Sequence, residues 1–362
     1  MLKSNPNKIL IMKFRNIGDV LLVTPLISNL KSIYPNALID IAVNNGTEEM
    51  ISLSPYINNV IIYDRTKIKA LKGLKKLWAE IRFGLNIRAN KYDLVINTTK
   101  GDRGAQLALL SGAKTKIGYK SKKNALLKNV FDFNLPKQGL RHTLETNLDP
   151  LRALNLPIKD KKVEIFWSEE DEKKVDSLLS CKEFIHIHPV SRWMFKCISD
   201  KTMASIIDYC KLELKKEVVL SAAPIEEELE RIDNILSLCK STPINLSAKL
   251  SLKQTAVLGK KAKFFIGVDT AIMHICAANN TPVLAFFGPS GADHWGPWDN
   301  DMMGSKYTTR RGNRTMGKHT VISEKWDCIP CGEDGCNGSK VSDCLMSLDI
   351  EMIKNRIRQM DD

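Results

Sequence analysis

Several short stretches set reactive side chains where an apolar run gives way to a polar turn. In "KFRNIGDVLLVTPL" (13–26) an apolar run stops at Arg15-Asn16-Ile17-Gly18 and a helical pattern begins at once with Asp19. A carboxylate at that seam is at least favourable charge at a helix N-terminus, worth about 0.3–1 kcal/mol. "FFIGVDTAIMHICAA" (264–278) ends a buried strand at Gly267-Val268-Asp269 and opens a helix at Thr270-Ala271. Free backbone N–H groups and the positive helix end make an anion site there. Asp269 and Thr270 also read as simple helix caps, and His274, one turn in, as a core histidine. "HIHPVSRWMFKCIS" (186–199) is a second seam, where Ser191, Arg192 and Lys196 crowd the loop after a strand. Cationic donors converging at a strand end suit a diphosphate, although a basic surface loop has the same composition. "SAAPIEEELERI" (221–232) sets Glu226, Glu227 and Glu228 at a third seam. Acidic residues favour that helix end in any case, and one of them can accept ribose hydroxyls as Rossmann acids do.

Two further patterns carry chemistry of other kinds. Cys328, Cys331, Cys336 and Cys344 form C-x₂-C-x₄-C-x₇-C. That spacing admits a tetrahedral zinc–thiolate knot or four thiols that pack together, and neither gives a catalytic role. Residues 67–91, "KIKALKGLKKLWAEIRFGLNIRANK", alternate Lys and Arg with Leu, Ile, Trp78 and Phe83. A basic amphipathic helix of this kind lies on an anionic bilayer, or packs with a solvated basic face. "KTKIGYKSKKNALLK" (114–128) adds a second basic cluster.

The charge balance gives these clusters a context. The chain of 362 residues carries a net +13. Residues 1–150 hold 24 Lys/Arg against 11 Asp/Glu, while residues 151–362 hold 30 of each. The whole excess lies in the N-terminal part, which therefore expects an anionic partner: nucleic acid, an acidic membrane surface or a phosphorylated substrate. Apolar runs fall well short of the roughly 18 residues of a membrane span. The start "MLKSNPNK" lacks an apolar signal core, so a cytoplasmic protein is expected, with its nine cysteines reduced or metal-bound.

The elements that must position these groups follow a βαβ rhythm. Residues 8–14, 37–43, 58–64 and 92–99 read as short buried strands. Helical patterns span 19–33, ended by Tyr34-Pro35-Asn36, and 66–90. The rhythm returns in strands at 183–189, 216–223, 243–247, 263–269 and 282–288, with helices at 201–215, 226–240, 251–260 and 270–279. Two Rossmann-like, doubly wound domains are expected, 1–165 and 166–344, with a ligand at the carboxyl ends of the strands in the cleft between them. A helix within 345–362 is expected to be free to pack back on the first domain. No G-x-G-x-x-G and no P-loop occurs, which argues against a nicotinamide cofactor and a kinase-type NTPase.

Taken together, "ILIMKFRNIGDVLLVTPLI", "YDLVINTTKGDRGAQLALLSGAKTKIGY", "HPVSRWMFK", "FIGVDTAIMHICAANNTPVLAFFGPSGADHWGPW" and "CIPCGEDGCNGSKVSDCL" resemble the ADP-heptose:lipopolysaccharide heptosyltransferases, family 9 of the glycosyltransferases. The resemblance runs from about residue 8 to 350, and the last two segments look most like the heptosyltransferase III branch. It implies a GT-B fold, with the nucleotide sugar on the C-terminal domain and the lipid-linked acceptor on the N-terminal one. It implies that Asp19 is the general base, presented by a tight turn at Gly18. Lys196, helped by Ser191, Arg192 and the turn Asp269-Thr270-Ala271 with His274, would hold the leaving diphosphate, and Glu227 the ribose. Many relatives read Asp-Thr-Gly where this chain has Asp-Thr-Ala, and the alanine adds a Cβ at a phosphate-cradling turn.

The resulting expectation is an inverting transfer of heptose from ADP-heptose to a heptose hydroxyl of the lipopolysaccharide inner core. It needs no metal and no cofactor, and takes place peripherally on the cytoplasmic face of the inner membrane. A GT-B transferase for another nucleotide sugar or acceptor is the alternative within the same class. A non-catalytic anion- or nucleic-acid-binding protein is the alternative from a different one.

Overall fold

The structure is a computed structural model that describes residues 4–121 and 124–362. Lys122 and Lys123 of the basic cluster at 114–128 lie outside the described residues. The chain divides into two compact units. One comprises the residues up to Gly139 with Thr143–Phe166, and the other Leu140–His142 with Trp167–Asp362.

The first unit is built on β1 (Lys8–Lys13), β2 (Leu38–Asn44), β3 (Asn59–Tyr63), β4 (Leu94–Asn97), β5 (Thr115–Gly118) and β6 (Phe133–Asn134), in the order β3-β2-β1-β4-β5-β6. All neighbours are parallel. β1 and β4 are the central pair, and their Ile9, Leu10, Ile11, Leu94, Val95 and Ile96 are fully buried. Burial on both faces is why these strands read as continuous apolar runs and not as alternating ones. The chain order reverses between β1 and β4, so the turns after these two strands open a crevice at the carboxyl edge.

Two helical stretches that read as continuous are each broken. The expected helix at 19–33 is Ile17–Leu21 followed by Thr24–Ile33. Pro25 is the cause: its ring and missing N–H are tolerated only in a first turn, so a new helix starts at Thr24. The stretch at 66–90 splits into Arg65–Ala70 and Gly73–Ala89, with Leu71 and Lys72 extended between them. Gly73 then starts the second helix at a φ of +53°.

The second unit repeats the architecture with β7 (Phe184–His188), β8 (Glu217–Leu220), β9 (Ile244–Asn245), β10 (Phe264–Val268), β11 (Val283–Phe286), β12 (Arg314–Met316) and β13 (His319–Ile322). Their order is β12-β13-β11-β10-β7-β8-β9. All pairs are parallel except the β12–β13 hairpin, which closes one edge. Here the order reverses between β7 and β10. The helical stretch expected at 201–215 is an α-helix only over Asp200–Asp208, and it widens into a π-helical turn over Tyr209–Glu213.

The C-terminal helix, Ile350–Asp361, packs within this second unit, which corrects the expectation that it returns to the first. Ile353 and Ile357, one turn apart, are fully buried in one core with Ile206, Ile207 and Tyr209. Arg358 Nε donates to Tyr209 Oη at 3.2 Å, and Lys354 Nζ lies 5.5 Å from the centre of the same ring.

Candidate active site

The groups singled out in the sequence follow the strands that flank the two reversals. In the first unit β1 ends at Lys13, and Asp19 is the third residue of the one-turn helix Ile17–Leu21. Asp19 is buried at 9% exposure, and its carboxylate stands 3.6 Å from Lys13 Nζ. Lys13 is buried as well, and Nζ donates to Asn147 Oδ1 at 2.9 Å. Burial pushes the Lys13 ammonium below its ordinary pKa, and the Asp19 charge opposes that shift. Asn147 Nδ2 donates to Leu22 O at 2.8 Å, so this side chain ties Lys13 to the end of the Asp19 helix. A carboxylate merely decorating a helix end would be exposed, and a single turn has little dipole to offer. Gly18 is itself helical, so the tight turn expected of it is not what presents Asp19.

In the second unit the loop after β7 and the turn after β10 meet. Lys196 Nζ donates to Asp269 Oδ2 at 2.6 Å, and Ser290 Oγ, from the turn after β11, donates to the same oxygen at 2.5 Å. Asp269 is 7% exposed. Burial works to raise its pKa, but the Lys196 charge and these two hydrogen bonds outweigh burial and hold it below the ordinary value. The carboxylate is therefore spent on side chains and does not cap the helix that follows. Thr270 occupies the N-cap of Ala271–Ala278 without a side-chain cap hydrogen bond, and its buried Oγ1 has no partner. Nδ1 of His274 is likewise buried and unpartnered. Burial pushes His274 down to about 4, with Asp269 opposing, so the ring is neutral at physiological pH. The capping explanation of Asp269-Thr270 thus gives way to a turn whose side chains leave the helix N–H groups open. Ala271 is the first residue of the helix, so its Cβ stands at the mouth of that turn.

The other predicted groups follow β7 and its neighbour β8. Ser191 is buried and its Oγ accepts from Trp193 N–H at 3.2 Å. Arg192 is exposed, with its guanidinium 5.0 Å from the centre of the Trp193 ring. Past β8, Glu228 is buried, accepts from Ala223 N–H at 3.0 Å, and has its pKa raised by that burial. Glu227 is exposed in the first turn of the same helix and is the carboxylate of the pair that faces solvent.

Sequence reasoning missed Lys13, Asn147 and Ser290. Ser290 does carry a signal of the same kind as the others, since "FFGPSG" is the turn at the end of the β11 run. Asn147 is distant in sequence and carried no local signal. Also unforeseen, Ser221 Oγ after β8 lies 2.7 Å from His186 Nε2 and 2.9 Å from His188 Nδ1. Burial pushes these rings down to about 3 and about 4.

Cys328, Cys331 and Cys336 neighbour Cys344. Among the described residues no three Cys, His, Asp or Glu side chains gather as a metal group. Cys328 and Cys331 are exposed while Cys344 is buried, and burial first, then the neighbouring thiols, pushes Cys344 up to about 12.

With this geometry in hand, similarity to known proteins is specific. Lipopolysaccharide heptosyltransferase 3 of Escherichia coli is 32% identical over 293 residues, 79% of this chain and 85% of that protein. The crystal structure of a family 9 glycosyl transferase from Veillonella parvula superposes with a TM-score of 0.78 at 19% identity, covering 99% of both chains. E. coli heptosyltransferase WaaC with ADP superposes with a TM-score of 0.71 at 17% identity, covering 98% of this chain and 99% of that one. These likenesses show the GT-B fold. The profile of glycosyltransferase family 9 (heptosyltransferase) matches residues 81–323, more than half of the chain, and so the protein belongs to that family.

Proposed function

We propose that the protein transfers heptose from ADP-heptose to a heptose hydroxyl of the lipopolysaccharide inner core, with inversion at the anomeric carbon. The observation that carries this reading is the Lys196–Asp269–Ser290 contact beside a helix N-terminus that no side chain caps. It fixes an ammonium beside open helix N–H groups at a reversal point, a donor set that suits a phosphoryl ligand. E. coli heptosyltransferase WaaC, a structural neighbour, was solved with ADP, and the similar E. coli protein is a lipopolysaccharide heptosyltransferase. Family membership sets aside the non-catalytic anion- or nucleic-acid-binding alternative.

In this reading the Asp19 carboxylate takes the proton of the acceptor hydroxyl as its oxygen attacks the anomeric carbon. The bond to the diphosphate breaks, and ADP leaves with the electron pair. Lys196, with Ser191, Arg192 and the Thr270 turn, offsets the growing charge on the diphosphate. Glu227 accepts from the ribose hydroxyls. Lys13 and Asn147 keep Asp19 in place. The first unit receives the acceptor and the second the nucleotide sugar, on the cytoplasmic face of the inner membrane. Among the described residues no helix is long and apolar enough to cross a membrane.

The test is direct. Purified protein is incubated with ADP-heptose and core oligosaccharide ending in heptose, and the products are weighed by mass spectrometry. One added heptose per acceptor, with stoichiometric ADP, is expected. Turnover only with another nucleotide sugar selects the alternative transferase, and no turnover with any donor removes the proposal.

A further inference from the structure

The helix Gly73–Ala89 has a face that the chemistry above does not use. It connects β3 to β4, which are both members of one parallel sheet, so it runs antiparallel to the strands. Its packed side is Glu80, Phe83, Gly84 and Ile87. Glu80 Oε1 accepts from Tyr63 Oη at 2.6 Å, and the Phe83 ring meets Tyr63 and Phe14 edge-on at 5.0 and 6.5 Å. Tyr63 is the last residue of β3, and Phe14 comes directly after β1. Glu80 is therefore level with the carboxyl edge of the sheet. The turns before it, from Gly73, run on past that edge for about 10 Å at 1.5 Å per residue.

The overhanging turns are apolar and basic together. Leu74, Leu77 and Trp78 are 77%, 55% and 67% exposed. With half-buried Ile81 and exposed Leu85 they fall at i, i+3, i+4, i+7 and i+11, one stripe about 100° wide. Lys75 and Arg82 flank the stripe, Lys72 and Lys76 stand at the helix start, and all four are exposed. Three large apolar side chains in successive turns, all facing water, need an explanation in a surface helix.

We propose that this overhang docks on an anionic lipid bilayer, with Leu74, Leu77 and Trp78 entering the boundary between headgroups and acyl chains and Lys72, Lys75 and Arg82 meeting lipid phosphates. The stripe distinguishes this occupant from nucleic acid, which would use the cations and leave three apolar side chains in water. The cations disfavour a second copy of the chain, since two such faces repel. The overhang projects from the carboxyl edge, the edge on which Asp19 stands, so docking would hold that edge against the surface in which a lipid-linked acceptor is anchored. In this last respect the inference rests on the transferase reading; the docking itself does not.

The test uses the full chain and sedimentation with vesicles of phosphatidylethanolamine plus phosphatidylglycerol, and with phosphatidylcholine alone. The parent protein is expected to sediment with the anionic vesicles and remain free of the neutral ones. Leu74→Ser/Leu77→Ser/Trp78→Ser should weaken anionic-vesicle partition by about tenfold or more. Lys75→Gln/Arg82→Gln should weaken it and flatten its dependence on salt. Turnover of a soluble, lipid-free acceptor should be the same in the parent and the triple variant, which separates docking from chemistry. Vesicle binding without turnover defeats the transferase reading and leaves the docking intact. A parent that ignores anionic vesicles, a triple variant that binds them as the parent does, or a triple variant whose only change is lost self-association or oligonucleotide binding overturns the docking.

Discussion

At Asp19 and Lys196 substitution separates the proposed chemistry from scaffolding. Asp19→Asn keeps the shape of the carboxylate beside Lys13 and removes the proposed base. Turnover should fall by about 10²–10⁴-fold with ADP-heptose binding little changed, read from initial rates and calorimetry. Near-parental turnover would make Asp19 a structural partner of Lys13. Lys196→Ala should weaken ADP far more than adenosine, because only ADP carries the diphosphate; an equal loss would make the lysine structural. The same variant leaves the buried Asp269 with Ser290 as its remaining partner, a loss of up to about 3–5 kcal/mol, so its melting point must be measured alongside. Four buried rings, His186, His188, His274 and His319, have pKa values pushed by burial down to about 3, 4, 4 and 4. Each binds a proton in the unfolded chain near the ordinary 6.5 and in the folded chain only near 3–4. Their contribution to stability is complete above pH 6.5 and falls away as pH drops toward 4. Urea midpoints should therefore decline from pH 7 to pH 5, and a flat profile would contradict the burial of these rings. Most of this site was legible because strand-end residues are local in sequence. Asn147, which holds Lys13 beside Asp19, and Ser290, which bonds Asp269, were not, because both arrive from elements distant in sequence.

Elements were legible where their period was long and uniform. β1, β2, β4, β7, β10 and β11 announce themselves as short, mostly apolar runs that are largely buried. β6, two residues long, has no period to read, β9 keeps only two residues of the strand expected at 243–247, and the β12–β13 hairpin sits in a polar stretch. The helix Glu169–Leu178 was missed although Ser168 and Asp171 form a capping box, because its mostly polar sequence has a single fully buried residue, Val175. Close packing between elements leaves its own mark at Gly84, where a Cβ would lie 2.5 Å from Leu110 Cδ1 and 2.9 Å from Leu110 Cβ. The helices Gly73–Ala89 and Asp102–Ser111 approach through that gap. Gly84→Ala should push them apart and cost about 1–3 kcal/mol by thermal melting, despite the better helix propensity of alanine. A neutral or raised melting temperature would mean that the Leu110 side chain moves aside freely.

For the molecule as a whole, the charge division made in the sequence persists as a functional expectation. The excess of +13 lies within residues 1–150, and the proposed diphosphate contacts lie in the neutral remainder. Exposed charges are screened over about 8–10 Å at physiological salt. Raising ionic strength should therefore raise the apparent KM for a lipid-linked acceptor while the KM for donor stays put. Replacing Lys72, Lys75, Lys76, Lys122 and Lys123 with Gln should imitate the salt effect. A salt-independent acceptor KM in both proteins would leave the excess as ordinary surface charge. The two-unit division was legible from the repeated βαβ rhythm. The place of the last helix was not, because amphipathicity says which face is buried and not which core receives it.

The hydroxyl of Ser221 imposes a constraint that reaches into spectroscopy. It lies within hydrogen-bond distance of two neutral imidazoles but has one proton to give, so at least one of the facing nitrogens, His186 Nε2 or His188 Nδ1, must carry hydrogen. His186 is wholly shielded from solvent and His188 nearly so. That N–H should exchange with water slowly enough to persist as a sharp downfield proton resonance at neutral pH, and it should disappear in Ser221→Ala. A magnetic signature of the second unit would then be readable without any substrate, and its loss on warming would time the opening of the strands β7 and β8 that hold it.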